Sequence, residues 1–202
     1  MGIALSLLAL GSAAAAEPPA CGCTGRLSAS QRLICADAEL AAYDRAVTLL
    51  SRRARSDEAP GRAGRRAFRR ERNACGEDRG CILSAYRRWL DDYGWGILFR
   101  SDDRPYSRGL EAPAVLHLVP LGGEWYLFSA GASDSNTSAA RPSSYAGGVL
   151  RLSGGTGRFA EQRNAALCAV ELTKRSEREW QVVDNGGCGI LPMTGTYRPY
   201  GW

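Results

Sequence analysis

Seven cysteines, a single histidine and a run of arginines are the residues of this 202-residue chain whose types and spacing could do chemistry. The cysteines stand at 21, 23, 35, 75, 81, 168 and 188, an odd number, so disulfide pairing leaves one over. With His117 the only histidine, a Cys/His zinc site is not expected, and no other metal or cofactor is. His117 lies inside the alternating run AVLHLVP, and a nucleophilic triad would need a Ser or Cys partner and an orienting acid. No GxSxG-type context supplies them, so His117 is expected to be an ordinary strand residue. The glycines of GGTG, residues 154–157, are flanked by strands on both sides, the setting of a hairpin turn rather than of a phosphate cradle. Asp91–Asp92 fall in the last turn of a helix and Asp102–Asp103 in a connecting segment, and neither pair suggests acid/base work. The chain is therefore expected not to be an enzyme.

The arginines suggest binding. From Arg52 to Arg72 there are nine Arg and three acids, a local net of +6. Nucleic-acid binding would want aromatics among the basic residues, and only Phe68 is present, so no nucleic acid is expected. The plain reading is a solvated helix face. The sharper one is contact with anionic lipid headgroups or cell-wall polymers. A second candidate is GASDSNTSAARPSSYAGG, residues 131–148, long for a connection between strands. Its Ser133, Asp134, Ser135, Asn136, Thr137, Ser138, Arg141, Ser143, Ser144 and Tyr145 suit polar recognition of a cleft, such as the sugar groove of a glycosidase.

The elements that must position these residues begin after a leader. Ile3 to Leu10 form a short apolar core followed by Ala14 and Ala16, the pattern of a signal peptide over residues 1–16. The run is too short to span a bilayer and no later stretch could, so no transmembrane helix is expected in the mature chain. Cys21 has Pro18 three residues before it, where lipid attachment wants a Leu-like residue. A periplasmic or secreted location follows, and with it a disulfide framework.

Charge and texture divide the rest. Residues 17–100 carry 16 Arg against 11 acids, whereas residues 101–202 carry ten of each sign. The first part reads as helical, 101–112 as a linker centred on RSDDRPYSRGL, and 113–202 as a small β domain. Ser28 with Gln31 forms a capping-box signal for a first helix. Asp37 caps a second with Leu40, Tyr43, Val47 and Leu50 on one face. A third runs from Arg62 to Ala74 with Phe68, and a fourth from Gly80 to Tyr93 with Ile82, Ala85 and Trp89. So few apolar residues want a staple. A Cys75–Cys81 bond would lock the corner between the third and fourth helices. Cys35 could bond back to Cys21 or Cys23. From Pro113 onward AVLHLVP, EWYLFSA, GGVLRLS, ALCAVELT, REWQVVD and ILPMTGTY read as six short strands, with Cys168 and Cys188 placed to tie a hairpin. The expected class is α+β: a disulfide-stapled bundle of about four helices, then an antiparallel sandwich or small barrel.

Cys23, LIC ending at Cys35, Asp37, Leu40, Asp44, Phe68, RNAC ending at Cys75, Cys81 and Tyr86 together resemble the N-terminal domain of the LprI-type lysozyme inhibitors, also known as DUF1311. The resemblance covers about 70 residues, 23 to 93, with four cysteines in register. It implies that Cys23 pairs with Cys35, leaving Cys21 spare, and that Asp44 and Arg72 form an exposed interhelical ion pair. It also implies a binding protein that shields peptidoglycan by occupying a lysozyme. One face departs from the pattern: Arg65 and Arg69 flank Phe68 where the family has a Gln and an apolar residue flanking a Trp. The closing CGILPMTGTYRPY resembles the end of β domains that follow this module, which implies a core Tyr197. The rival expectation is an envelope structural or adaptor protein whose Arg-rich helix holds anionic polymer or membrane.

Overall fold

A computed structural model describes residues 23–54, 60–94, 98, 106–108, 114–133, 144–163 and 165–199. The expected leader and Cys21 lie outside them. Four helices come first: α1 (Ala29–Ala36), α2 (Ala38–Arg53), α3 (Gly61–Ala74) and α4 (Arg79–Trp89), the last running on into a π turn at Leu90–Gly94. Ser28 and Gln31 form the reciprocal capping box of α1. Asp37 accepts the Leu40 amide at the start of α2, and Asp78 accepts that of Cys81 at the start of α4. Each cap satisfies an N–H that has no partner within its helix. α3 begins at Pro60 without any side-chain cap. Two disulfides bind the helices together: Cys23–Cys35 ties the N-terminal segment to α1, and Cys75–Cys81 closes the turn between α3 and α4. Among the described residues no helix is long and apolar enough to cross a membrane.

Eight antiparallel strands follow: β1 (Tyr106–Ser107), β2 (Ala114–Gly122), β3 (Trp125–Ala132), β4 (Ser144–Arg151), β5 (Thr156–Arg163), β6 (Ala166–Ser176), β7 (Glu179–Asp184) and β8 (Gly195–Pro199). Their order is β4-β3-β2-β1-β8-β7-β6-β5, an up-and-down succession in which the last strand pairs with the first. The free edges β4 and β5 lie against each other, so the sheet is a nearly closed barrel. Glycine permits that approach: a Cβ on Gly157 would sit 2.6 Å from Leu150 and 2.9 Å from the Arg151 carbonyl. Likewise the Phe159 ring occupies the place a Cβ on Gly148 would take.

Strand alternation sends side chains to two separate cores. Leu116, Phe128, Leu150, Phe159, Leu172 and Trp180 fill the barrel interior together with Tyr197, whose hydroxyl donates to the Met193 carbonyl at 2.6 Å. Burial pushes the Tyr197 phenol up to about 12. On the outer face Val119, Leu121, Leu127 and Val149 join Leu40, Tyr43, Leu50, Tyr86 and Trp89 of the helices in a second cluster. The helical core is thus completed by the sheet. Cys168–Cys188 ties β6 to the connection between β7 and β8.

Two differences from the sequence reading stand out. Eight strands replace six, because β5 carries only Phe159 as a large inward residue and its apolar alternation is faint. Within the segment taken as a linker, Tyr106–Ser107 instead forms β1, which pairs with β2 on one side and β8 on the other.

Asp184 pins the β7–β8 connection by accepting from the Gly186 and Met193 amides and the Thr194 hydroxyl at 2.7–3.0 Å. Burial would raise this carboxyl, but the three donors outweigh it and hold it below its ordinary value. Its charge therefore contributes stability above about pH 4 that is lost as pH falls through the folded value. Asp184→Asn should cost about 1 kcal/mol at pH 7, and its deficit against the native chain should shrink toward pH 2 in urea unfolding. A deficit constant with pH would show that the charge contributes nothing.

Candidate functional site

α3 buries little: Phe68 and Arg72 are its only buried side chains. They define how it lies on α2 and α4. Arg72 reaches inward and donates through Nη1 to Asp44 Oδ1 at 2.9 Å, while the Tyr86 hydroxyl donates to the same oxygen at 2.7 Å. Burial and the neighbouring carboxylate push the Tyr86 phenol far up, so it stays protonated as a donor. The pair was expected at the surface. Instead the two side chains are only 11 % and 10 % exposed, which makes it part of the packing.

The same guanidinium orients Asn73. Its Nε and Nη2 donate to Asn73 Oδ1 at 3.2 and 3.1 Å, and the Ser30 hydroxyl donates to that oxygen from α1. With its carbonyl so occupied, the amide nitrogen of Asn73 is left to donate outward. Gln31 is held the same way, its Oε1 accepting the Ser28 amide.

Between α2 and α3 this arrangement leaves a groove of about 530 Å³. Phe68 and Val47 form its apolar base, Thr48, Ser51, Gln31 and Asn73 add neutral polar groups, and Arg52, Arg65, Arg69 and Arg72 line it with cations. Asp44 is the one acid among its described lining residues, and that carboxylate is engaged by Arg72 and Tyr86. The volume lies within the range of small-ligand sites. What distinguishes it chemically is an excess of donors over acceptors, the composition that recognises an anion.

The charge continues along the helix. Arg62, Arg65, Arg66, Arg69 and Arg70 recur at three- and four-residue spacing on one side of α3, and none has an ion-pair partner among the described residues. The acid of that helix, Glu71, faces the other way and pairs with Arg88 of α4. No acid stands in the first turn of α3.

The second sequence candidate fares differently. Gly131 and Ala132 belong to β3, and Ser144 to Gly148 belong to β4, so the connection is shorter than residues 131–148. Ser133 is half-buried at its start. Asp134, Ser135, Asn136, Thr137, Ser138, Arg141 and Ser143 lie outside the described residues. Ser144 is buried and its hydroxyl accepts the Leu191 amide at 2.6 Å, so it builds the fold rather than a contact surface. The Tyr145 ring lies under the Arg163 guanidinium at 4.8 Å, and burial raises its phenol. His117 is buried in β2, opposite the buried Ser129 of β3. Among the described residues no cluster of His, Cys, Asp and Glu is assembled for a metal ion.

No protein-family model, no curated protein and no solved structure matches the chain.

Asp44 and Arg72 invite a double-mutant cycle. Asp44→Ala should destabilise by about 3 kcal/mol, because it strands a buried cation. Adding Arg72→Met should recover a measurable part of that loss in chemical denaturation. Full additivity of the two single changes would show that the pair is not coupled.

Proposed function

We propose that this chain is an exported binding protein, periplasmic or secreted, which holds an anionic component of the cell envelope in the groove between α2 and α3. The observation that carries this reading is the donor-rich lining of that groove: Arg65 and Arg69 line it beside Phe68 with no ion-pair partner among the described residues, while the carboxylate of Asp44 is spent on Arg72. Guanidinium groups suit phosphate and carboxylate alike, since the planar fork donates two parallel hydrogen bonds to either. The three disulfides support a site outside the reducing cytosol, where wall polymers and lipid headgroups supply such anions. The net charge of +5 adds long-range attraction to an anionic envelope. Binding alone accounts for these features, and no catalytic step is part of the proposal.

The LprI-type reading, occupation of a lysozyme, is the second proposal. What supports it is the coincidence of Cys23–Cys35, Cys75–Cys81 and the Asp44–Arg72 pair with the family's spacing. Many lysozymes are strongly basic, so a chain with net +5 gains no electrostatic steering toward them. Protection of a peptidoglycan suspension from a c-type lysozyme, lost on reduction and alkylation, is the result this reading requires.

For the groove, dextran sulfate and uncharged dextran are the first probes. The oxidised protein should bind only the sulfated polymer, with affinity falling steeply as salt rises toward physiological strength. Arg65→Gln with Arg69→Gln should weaken binding at least tenfold while leaving the unfolding midpoint nearly unchanged, since Arg65 is only half-buried and Arg69 exposed. Equal binding by this variant would remove the groove from the function.

A further inference from the structure

The groove accounts for Arg65 and Arg69 but not for Arg62, Arg66 and Arg70, which continue the same side of α3 beyond its lining. Residues four apart on a helix are about 6 Å apart along its axis, so Arg62, Arg66 and Arg70 mark a row about 12 Å long. Arg65 and Arg69 form a second row at the same interval, beside the groove. A single headgroup needs cations gathered at one point. Here they are spaced evenly along a line.

A bilayer surface is also a poor match for this face. Peripheral membrane helices set apolar side chains beside their cations so that they can enter the acyl boundary. The large apolar residues left exposed among the described residues are Leu167, Val183 and Ile190, and all three belong to the β part. The face of α3 offers charge, with hydrogen-bonding amides and hydroxyls from Asn73, Gln31, Thr48 and Ser51 at its margin. Those neutral groups suit the hydroxyls of a polyol or sugar backbone.

Building on the anion-binding reading of the groove, we infer that the ligand is a linear, hydroxyl-bearing polyanion whose charges recur about every 6 Å and which lies along α3 with one unit in the groove. A polyol phosphate and an acidic polysaccharide share this chemistry.

The test titrates the oxidised protein with glycerol-phosphate oligomers of one to six units, with oligogalacturonates of the same lengths, and with phosphatidylglycerol-containing vesicles. Affinity should rise at least tenfold from one to three charges, more than their number accounts for, and then level off once the row is filled. Arg62→Gln should weaken the longer oligomers severalfold more than the monomers. Arg65→Gln with Arg69→Gln should weaken every length. A preference for either oligomer series supports the inference and identifies the charge as phosphate or carboxylate. Affinity merely proportional to charge number, or vesicles binding more tightly than any oligomer with the same dependence on Arg65 and Arg69, would overturn the linear polymer while leaving the anion groove in place. Binding of oligomers and vesicles that ignores Arg65 and Arg69 would overturn both.

Discussion

A guanidinium withdrawn from water among three helices must be neutralised where it lies, and the geometry of the helical layer follows from how Arg72 meets that demand. Asp44 of α2 supplies the countercharge and the Tyr86 hydroxyl of α4 a further acceptor at 3.3 Å, so one side chain of α3 fixes its position against both neighbours. Phe68, one turn earlier, adds the apolar contact, packing on Tyr86 and Trp89 at centroid distances of 5.5 and 6.0 Å. The Cys75–Cys81 bond then holds the far end of the helix. Few anchors suffice because they act at successive points along the helix. The groove is the space left where α3 is held near its C-terminal half and α2 continues past it.

The same economy operates between helices and sheet. The helical cluster contains too few apolar residues to stand as a closed core, and Val119, Leu121, Leu127 and Val149 complete it from the outer face of β2, β3 and β4. Those strands must therefore be apolar on both faces, which is why their burial runs are nearly continuous while β5 and β6 alternate with charged residues. Arg79 reinforces the helical layer at its edge by bonding Asp37 and Glu39 of α2 from the start of α4. Exposed as it is, that clamp contributes less than the buried Asp44–Arg72 pair.

Much of this was legible in the sequence where one residue type has one physical use. Ser28 and Asp37 sit where helix N-termini need acceptors, and Leu40, Tyr43, Val47 and Leu50 keep the spacing of a buried stripe. The barrel was harder. Residues 131–148 read as a long polar loop by composition, yet Gly148 is there because Phe159 packs on it, a contact that no local pattern encodes. The groove was half visible: Arg65 and Arg69 stood out as a departure around Phe68, but Asn73, Thr48, Ser51 and Gln31 join them only through the packing of three helices. The burial of Asp44 with Arg72 was hidden for the same reason, since residues 28 apart in sequence say nothing of their depth.

The cations of α3 oppose the helix that carries them. Like charges three and four residues apart repel, and Arg62, Arg65 and Arg66 stand near the positive end of the helix dipole, where anions are favoured. Among the described residues, neither a side-chain cap nor an acid in the first turn of the helix offsets this. The helix is held by Phe68, Arg72 and Cys75 toward its other end. A bound polyanion would supply what the sequence omits there, neutralising the stripe and the dipole together. Were such an anion bound, its binding and the order of the first turns of α3 would be one equilibrium, and the repulsion relieved in the helix would be part of the affinity.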